Sequence, residues 1–390
     1  MRFGFVGRVM SIALACAPVS VPAAAQEIYA PNYFDGDVSV LDARTLGTLA
    51  RIPVTATADA SISVTGEPSA VEFSLDHRLA FVVISNSDRV AVIDTVQRTV
   101  IEYIVIAPVT FDALIFRHPD GQRLYVTSCA DPIVSVISVQ SRQTTATLPL
   151  PAGSYAMAFS ADGSTAYLAS GYPGCGTTPG LYRLNTTTNS LIGFTGLSQA
   201  PSDVAVAPSG LFALTSGGSR ILVVDLTTNR EAGSVQCGAL PCNYSATGTI
   251  VFNSAGNRGY TVDSVTNQFI TIDTDAKSRS FLQELSRVTM AVPDGTNVWQ
   301  LALRKSYAYV ASYSWDATGV VVTMDVSTDM PVMVGTQEVG TFAYELVLWS
   351  YPTAKEQCDG DGWTRFGLFG SRGACVSSIS NQSVDSRWFQ

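Results

Sequence analysis

The chain has 390 residues, with 23 Lys and Arg against 32 Asp and Glu and only 2 His, for a formal net charge of −9. That surplus of acid repels phosphate backbones and excludes nucleic acid as a ready partner. Only 14% of residues are charged while Gly, Ser, Thr and Val abound, a balance of strands and turns rather than helices.

The first element is expected to be a leader. Arg2 and Arg8 precede an apolar stretch ending in Ala23-Ala24-Ala25 before Gln26, the pattern of a secretory signal with a small-residue cleavage site. Cys16 raises a lipoprotein alternative, but Ala13 stands three residues before it, where such a site usually has a larger aliphatic residue, so cleavage after Ala25 is expected. Loss of residues 1–25 removes two positive charges and no acid, which moves the net charge to −11 and leaves 365 residues. No later segment has the run of about 18 apolar residues that a membrane span needs. The mature chain is expected to be exported, periplasmic or extracellular, without a membrane span, and monomeric.

From Ile28 the chain reads as short strands. "IYAPNYFDGDVSVLDARTLGTLARIPV" contains three, separated by polar turns. "EPSAVEFSLDHRLAFVVISNSDRVAVIDTVQRTVIEYIVI", from Glu67, contains four, and "GSYAMAFSADGSTAYLASGYPGCGTTPGLYRLNTTTNSLIGF", from Gly153, repeats the order. Period-2 alternation broken by Asp, Gly, Asn and Thr turns predicts antiparallel strands. The first strand of each unit falls near Ala70, Ala113, Ala156, Val204, Ile250, Trp299 and Glu345, at spacings of 43, 43, 48, 46, 49 and 46 residues. A period in the forties with four strands per unit predicts an all-β, seven-bladed β-propeller over residues 26–350. The first unit lacks its first strand, and an orphan strand, "FAYELVLWS", stands at Phe342 to Ser350; pairing the two predicts a closed ring with short, protected edges.

Six cysteines remain after cleavage, and an even count in an exported chain predicts disulfides. A zinc site is the rival reading, but the spacings match no common ligand pattern. Cys237 and Cys242 flank "GALP", whose Gly238 and Pro241 favour a turn that pairs them. Cys129 and Cys175 lie one blade period apart, each after the second strand of its blade, so they are expected to bridge blades 3 and 4. Cys358 and Cys375 are expected to close a tail module over residues 351–390, a step contributing roughly 3 kcal/mol by chain entropy.

These repeats resemble the YVTN-type propeller repeat, on the strength of "LYVTSCADPIVSVISVQSRQTTATLPL", "APSDVAVAPSGLFALTS" and "FSADGSTAYLAS". Blades 6 and 7 depart most, with "FNSAGNRGYTVD" and "LALRKSYAYVAS" in place of the usual turn. The resemblance is specific for the fold, and related propellers serve as surface scaffolds, ligand binders, sugar-lactone hydrolases and redox subunits. The stretch "KEQCDGDGWTRFGLFGSRGACVSSI" resembles a short tail of exported bacterial proteins, through Cys358, Gly362, Trp363, Phe366, Phe369, Gly373, Cys375 and Val376.

No catalytic motif stands out. His77 and His118 fall in turns of separate blades and are expected to be solvated. "DGDGW" at Asp359 fails as a calcium loop, which would need Gly and Glu where Thr364 and Gly370 stand. There is no phosphate loop, haem-attachment Cys pair or HExxH run, so no cofactor and no metal are expected. The Asn185, Asn243 and Asn381 triplets are chance matches in a Ser- and Thr-rich chain.

In a propeller the loops from strand two to three and from strand four to the next blade share one face. Tyr33, Phe34, Asp35, Asp131, Tyr172, Tyr244, Tyr313, Trp315 and Asp316 fall in those loops, and aromatics with carboxylates at a ring's mouth suit a protein, peptide or carbohydrate ligand. The expectation is a binding or protein-interaction scaffold. The alternative, which the family resemblance allows, is a lactonase-like hydrolase using the central channel, where Asp112, Asp203, Gln300 and Glu345 are the candidates.

Overall fold

The computed structural model describes residues 27–43, 45–55, 66–110, 113–173, 175–313, 318–341 and 347–348. The expected leader and the expected tail with Cys358 and Cys375 lie outside them, as do Asp112, Trp315, Asp316 and Glu345. The described residues form an all-β structure of seven four-stranded antiparallel sheets and one two-stranded hairpin. Each large sheet is a blade whose first strand lies innermost.

Blade 1 has Val347–Leu348 innermost, paired through Val347 with Tyr29 and Leu348 with Ile28, followed outward by Glu27–Asn32, Asp37–Asp42 and Thr48–Pro53. Blade 2 comprises Glu67–Phe73, Leu79–Ser85, Ser87–Asp94 and Thr99–Val109, and blade 3 Ala113–Arg117, Arg123–Ser128, Ile133–Ser138 and Gln143–Pro149. Blade 4 comprises Ala156–Phe159, Thr165–Ser170, Gly180–Asn185 and Ser190–Gly196, and blade 5 Asp203–Val206, Phe212–Ser216, Leu222–Asp225 and Arg230–Ser234. Blade 6 comprises Val251–Phe252, Arg258–Asp263, Gln268–Asp273 and Glu284–Thr289, and blade 7 Asn297–Arg304, Tyr307–Tyr313, Thr318–Asp325 and Val332–Thr341.

Blades adhere through their faces. Each of the seven interfaces holds its own apolar cluster. Between blades 1 and 2, Tyr29 and Ile52 pack on Phe73 and Ile84, with the Tyr29 and Phe73 rings edge-on at 5.0 Å. Between blades 7 and 1, Tyr309 and Val321 pack on Ile28 and Leu41, and the Tyr309 hydroxyl donates to the Ala43 carbonyl at 3.0 Å. Because both faces of a blade are covered, second and third strands are buried almost without alternation, as in Leu79–Ser85. Clean alternation survives only in outer strands such as Gln143–Pro149. A fully buried ring such as Phe81 is worth about 3–5 kcal/mol against its truncation to Ala.

The turns repeat as the strands do. Between third and fourth strands, Asp94, Asn185 and Asp225 each accept the N–H groups two and three residues on, and Arg98, Asn189 and Asn229 take the left-handed conformation that closes the turn. Every third–fourth pair also carries a register shift, an extra residue in the fourth strand opposite Val40/Leu41, Val92/Ile93, Val136/Ile137, Arg183/Leu184, Val223/Val224, Thr271/Ile272 and Thr323/Met324. These are β-bulges, which bend and twist the outer strand.

The histidines correct the sequence expectation: both sit in turns, but neither is solvated. The turns between first and second strands pack against their neighbours, which encloses these two imidazoles. His118 places Nε2 2.8 Å from the Gly163 carbonyl of blade 4, with Phe159 edge-on at 5.1 Å. His77 occupies the left-handed position that Gly121, Gly163, Gly210 and Gly256 hold in blades 3 to 6. Burial, with help from the Arg117 charge, lowers its pKa to about 4.

Candidate functional site

Two features meet at the loop face: a cluster of aromatics over the channel mouth, and a cavity beneath it. Tyr33, expected to face a ligand, is buried in the apolar cluster that also holds Tyr155, Cys129 and Cys175, and Tyr172, Trp299 and Tyr313 pack on the same cluster. Tyr155 stacks tilted on Tyr172 at 5.2 Å and meets Trp299 edge-on at 6.5 Å. Burial raises the Tyr313 phenol pKa. Phe34 is 47% exposed and stands edge-on to Tyr33 at 5.2 Å. Asp35 lies next to it and pairs with Arg51 at 2.6 Å, and Arg51 also pairs with Asp37 at 2.9 Å.

Two other candidates work inside the fold. Asp131 accepts from the Thr110 N–H at 2.7 Å, from its hydroxyl at 2.9 Å and from the Ser128 hydroxyl at 2.8 Å, tying the connection from blade 2 to a loop of blade 3. Tyr244 is buried and donates to Glu284 at 3.0 Å; Arg287 pairs with that carboxylate at 2.8 Å and covers the Tyr244 ring at 4.9 Å. Burial and the Glu284 charge raise the Tyr244 phenol pKa.

Cys129 is bonded to Cys175 across blades 3 and 4, and Cys237 to Cys242. The first bridge lies in the buried cluster with Tyr155. Gly153 makes room for it, since a Cβ there would meet the Cys129 carbonyl at 1.8 Å. The second clasps the hairpin of Gln236–Cys237 and Leu240–Pro241. Cys237, Cys242 and Glu284 are, among the described residues, the one set of potential metal ligands with donor atoms within 4.8 Å of each other, and the sulfurs are already joined to one another.

Beneath the aromatics, Asp203, Thr249, Gln300, Tyr155, Trp299 and Phe116 line a cavity of about 70 Å³. Inner strands of blades 3, 4, 5 and 7 contribute to it, with Gly248 and Thr249 from the segment leading into the inner strand of blade 6. Asp203 is part-open to this space while protein surrounds it; its carboxylate accepts the Ile250 N–H at 2.7 Å, and burial raises its pKa to about 7. The Thr249 hydroxyl donates to Gln300 Oε1, and the Thr249 N–H to the Trp299 carbonyl at 3.1 Å. Gly248 permits that approach, because a Cβ there would meet the Trp299 carbonyl at 2.2 Å. Asp203 and Gln300 thus line one cavity, whereas Asp112 and Glu345 lie outside the described residues.

Sequence reading passed over Tyr155 and over Trp299 as a site residue. The register shift between Val298 and Gln300 explains the second: Trp299 is the extra residue of a bulge. It therefore lines the cavity together with its neighbour Gln300, against the alternation of a regular strand. A signal was present in "SYAMAF" and "VWQLAL", where a large aromatic stands at the loop-face end of an inner strand.

Among the described residues no helix is long and apolar enough to cross a membrane. No protein-family model matches the sequence, and no curated protein does. Solved structures do share the fold. Hydrazine synthase of Kuenenia stuttgartiensis is similar with a TM-score of 0.60 at 16% identity, over 74% of this chain and 92% of that one. The dihydro-heme d1 dehydrogenase NirN has a TM-score of 0.56 at 13% identity, over 83% of this chain and 74% of its own. The Cps50 (Swd1) β-propeller domain of Myceliophteria thermophila has a TM-score of 0.56 at 12% identity, over 70% and 86%. At such identities the likeness establishes a β-propeller and nothing about chemistry.

Proposed function

We propose that this protein is an exported YVTN-type propeller that acts as a binding or interaction scaffold, presenting its loop face to a protein, peptide or carbohydrate. The observation that carries the reading is the aromatic mouth stapled by Cys129–Cys175, with Phe34 projecting beside the Asp35–Arg51 pair. An exposed aromatic on a rigid base, flanked by charge, is the arrangement of a recognition anchor. The two disulfides fit an oxidising compartment. A lactonase-like hydrolase would need several carboxylates, His or Arg converging on the channel, and among the described lining residues Asp203 is the one charged group.

The test is capture on a glycan and peptide array, run with the wild type, Phe34→Ala, and Leu211→Ala as an exposed control in a turn on the opposite face. A specific ligand lost in the first variant and kept in the second supports the reading. Binding indifferent to Phe34 and lost with Leu211, or turnover of simple lactones, contradicts it.

A further inference from the structure

The channel cavity contains a carboxylate that the described fold does not neutralise. Asp203 forms no ion pair among the described residues, and its acceptor bond from Ile250 leaves the negative charge facing the space beside it. The strands packed against Asp203–Val206 are Ala156–Phe159, Thr165–Ser170 and Phe212–Ser216, and the titratable group they bring is Tyr167. A carboxylate so placed is stabilised by a cation that enters with it.

The walls say which kind. A hard metal ion such as calcium takes six to eight oxygen ligands, whereas three of the cavity's large walls are the rings of Tyr155, Trp299 and Phe116. Aromatic faces beside one carboxylate suit an organic cation, which is weakly hydrated and gains from ring quadrupoles. A cavity of about 70 Å³ holds about two waters at their liquid share of about 30 Å³, room for the head of a small ammonium ion. The bulge at Trp299 supports the same conclusion: it brings an indole and an amide from adjacent positions to line one cavity, and Gly248 has no Cβ where the Trp299 backbone carbonyl approaches. Bulges beside a cavity commonly re-aim a side chain for a site.

We propose that the cavity bounded by Asp203, Tyr155, Trp299, Thr249 and Gln300 binds a small organic ammonium ion, with Asp203 as its counter-ion and Trp299 as its aromatic wall. The proposal concerns the channel and stands apart from whatever the loop face recognises.

Calorimetric titration of the full exported protein at pH 8 with tetramethylammonium and, separately, butylammonium chloride tests it, with calcium chloride as a third titrant. The expected result is saturable one-to-one binding of at least one ammonium probe. Asp203→Asn should weaken it about tenfold or more, the value of a charge-assisted contact, and Trp299→Leu about three- to tenfold. Strand content measured by circular dichroism identifies a variant that has lost its fold, and the other variant then carries the comparison. Affinity should also rise between pH 6 and 8, because the proton and the cation compete for Asp203, and this rise should vanish in Asp203→Asn. No saturable binding up to about 50 mM, ammonium binding unchanged by both substitutions, or saturation by calcium alone would each overturn the proposal.

Discussion

Replacing Asp203 by Asn should make this protein more stable above neutral pH and change little below pH 4. Asn keeps the oxygen that accepts the Ile250 N–H but carries no charge. In the unfolded chain an Asp titrates near 3.9, and in the fold this one is raised to about 7. Between those values the folded state binds more protons than the unfolded state, so stability falls as pH rises. The favourable contribution is complete below about pH 4 and gone above about pH 7. A gap of about three pH units corresponds to about 4 kcal/mol, a ceiling because Asp203 is part-open to the cavity. With about 0.8 kcal/mol/K of unfolding entropy for a chain of this length, that is a Tm difference of up to about 5 °C. Scanning calorimetry of both proteins from pH 5 to 8.5 provides the measurement. The Tm difference should open in favour of Asp203→Asn as pH rises; curves that run parallel throughout would refute the account of Asp203.

His77 acts in the opposite sense: its pKa is lowered to about 4, so its contribution is present above pH 6.5 and lost as pH falls toward 4. His77→Asn, which tolerates the left-handed turn, should flatten the acid side of the Tm profile by up to about 3 kcal/mol, and an unchanged slope between pH 4 and 6.5 would contradict its burial as neutral imidazole. Replacing Cys129 and Cys175 together by Ser should lower stability by up to about 4 kcal/mol while strand content by circular dichroism is retained; free thiols at both positions in untreated exported protein would remove the basis for this. Ending the chain before Phe342 deletes the strand that pairs with Glu27–Asn32 and should give an aggregating product, whereas ending it after Ser350 should leave a cooperative melt. Equal melts for the two truncations would show that the pairing is dispensable.

The architecture was legible because each repeat announces itself locally. Turn residues such as Asp94 and Gly163 act through bonds and dihedrals within a few positions, and the period follows from their spacing. The candidate site was less legible because it depends on contacts between blades. Tyr33 and Phe34 are adjacent aromatics in one loop, yet one is buried in a cluster that includes residues of other blades and the other is exposed. His118 reads as a turn residue, and only the neighbouring Gly163 turn encloses it. Trp299 was obscured for a different reason: a bulge adds one residue to one strand of a pair, and "VWQLAL" gives no local sign of where the count changes.

The bulge shared by every third–fourth pair has a consequence for how such a chain can arise. A ring of seven blades presents seven outer strands, each with unpaired backbone groups that could template assembly with another molecule. Here the extra residue lies in the outer strand itself, opposite Val92/Ile93 and Val223/Val224, next to the turn that each blade already needs. A duplicated blade would therefore inherit its protection against fibril growth along with its strands. Copies could be added until the ring met its own beginning, and no separate safeguard would have to evolve at each new edge.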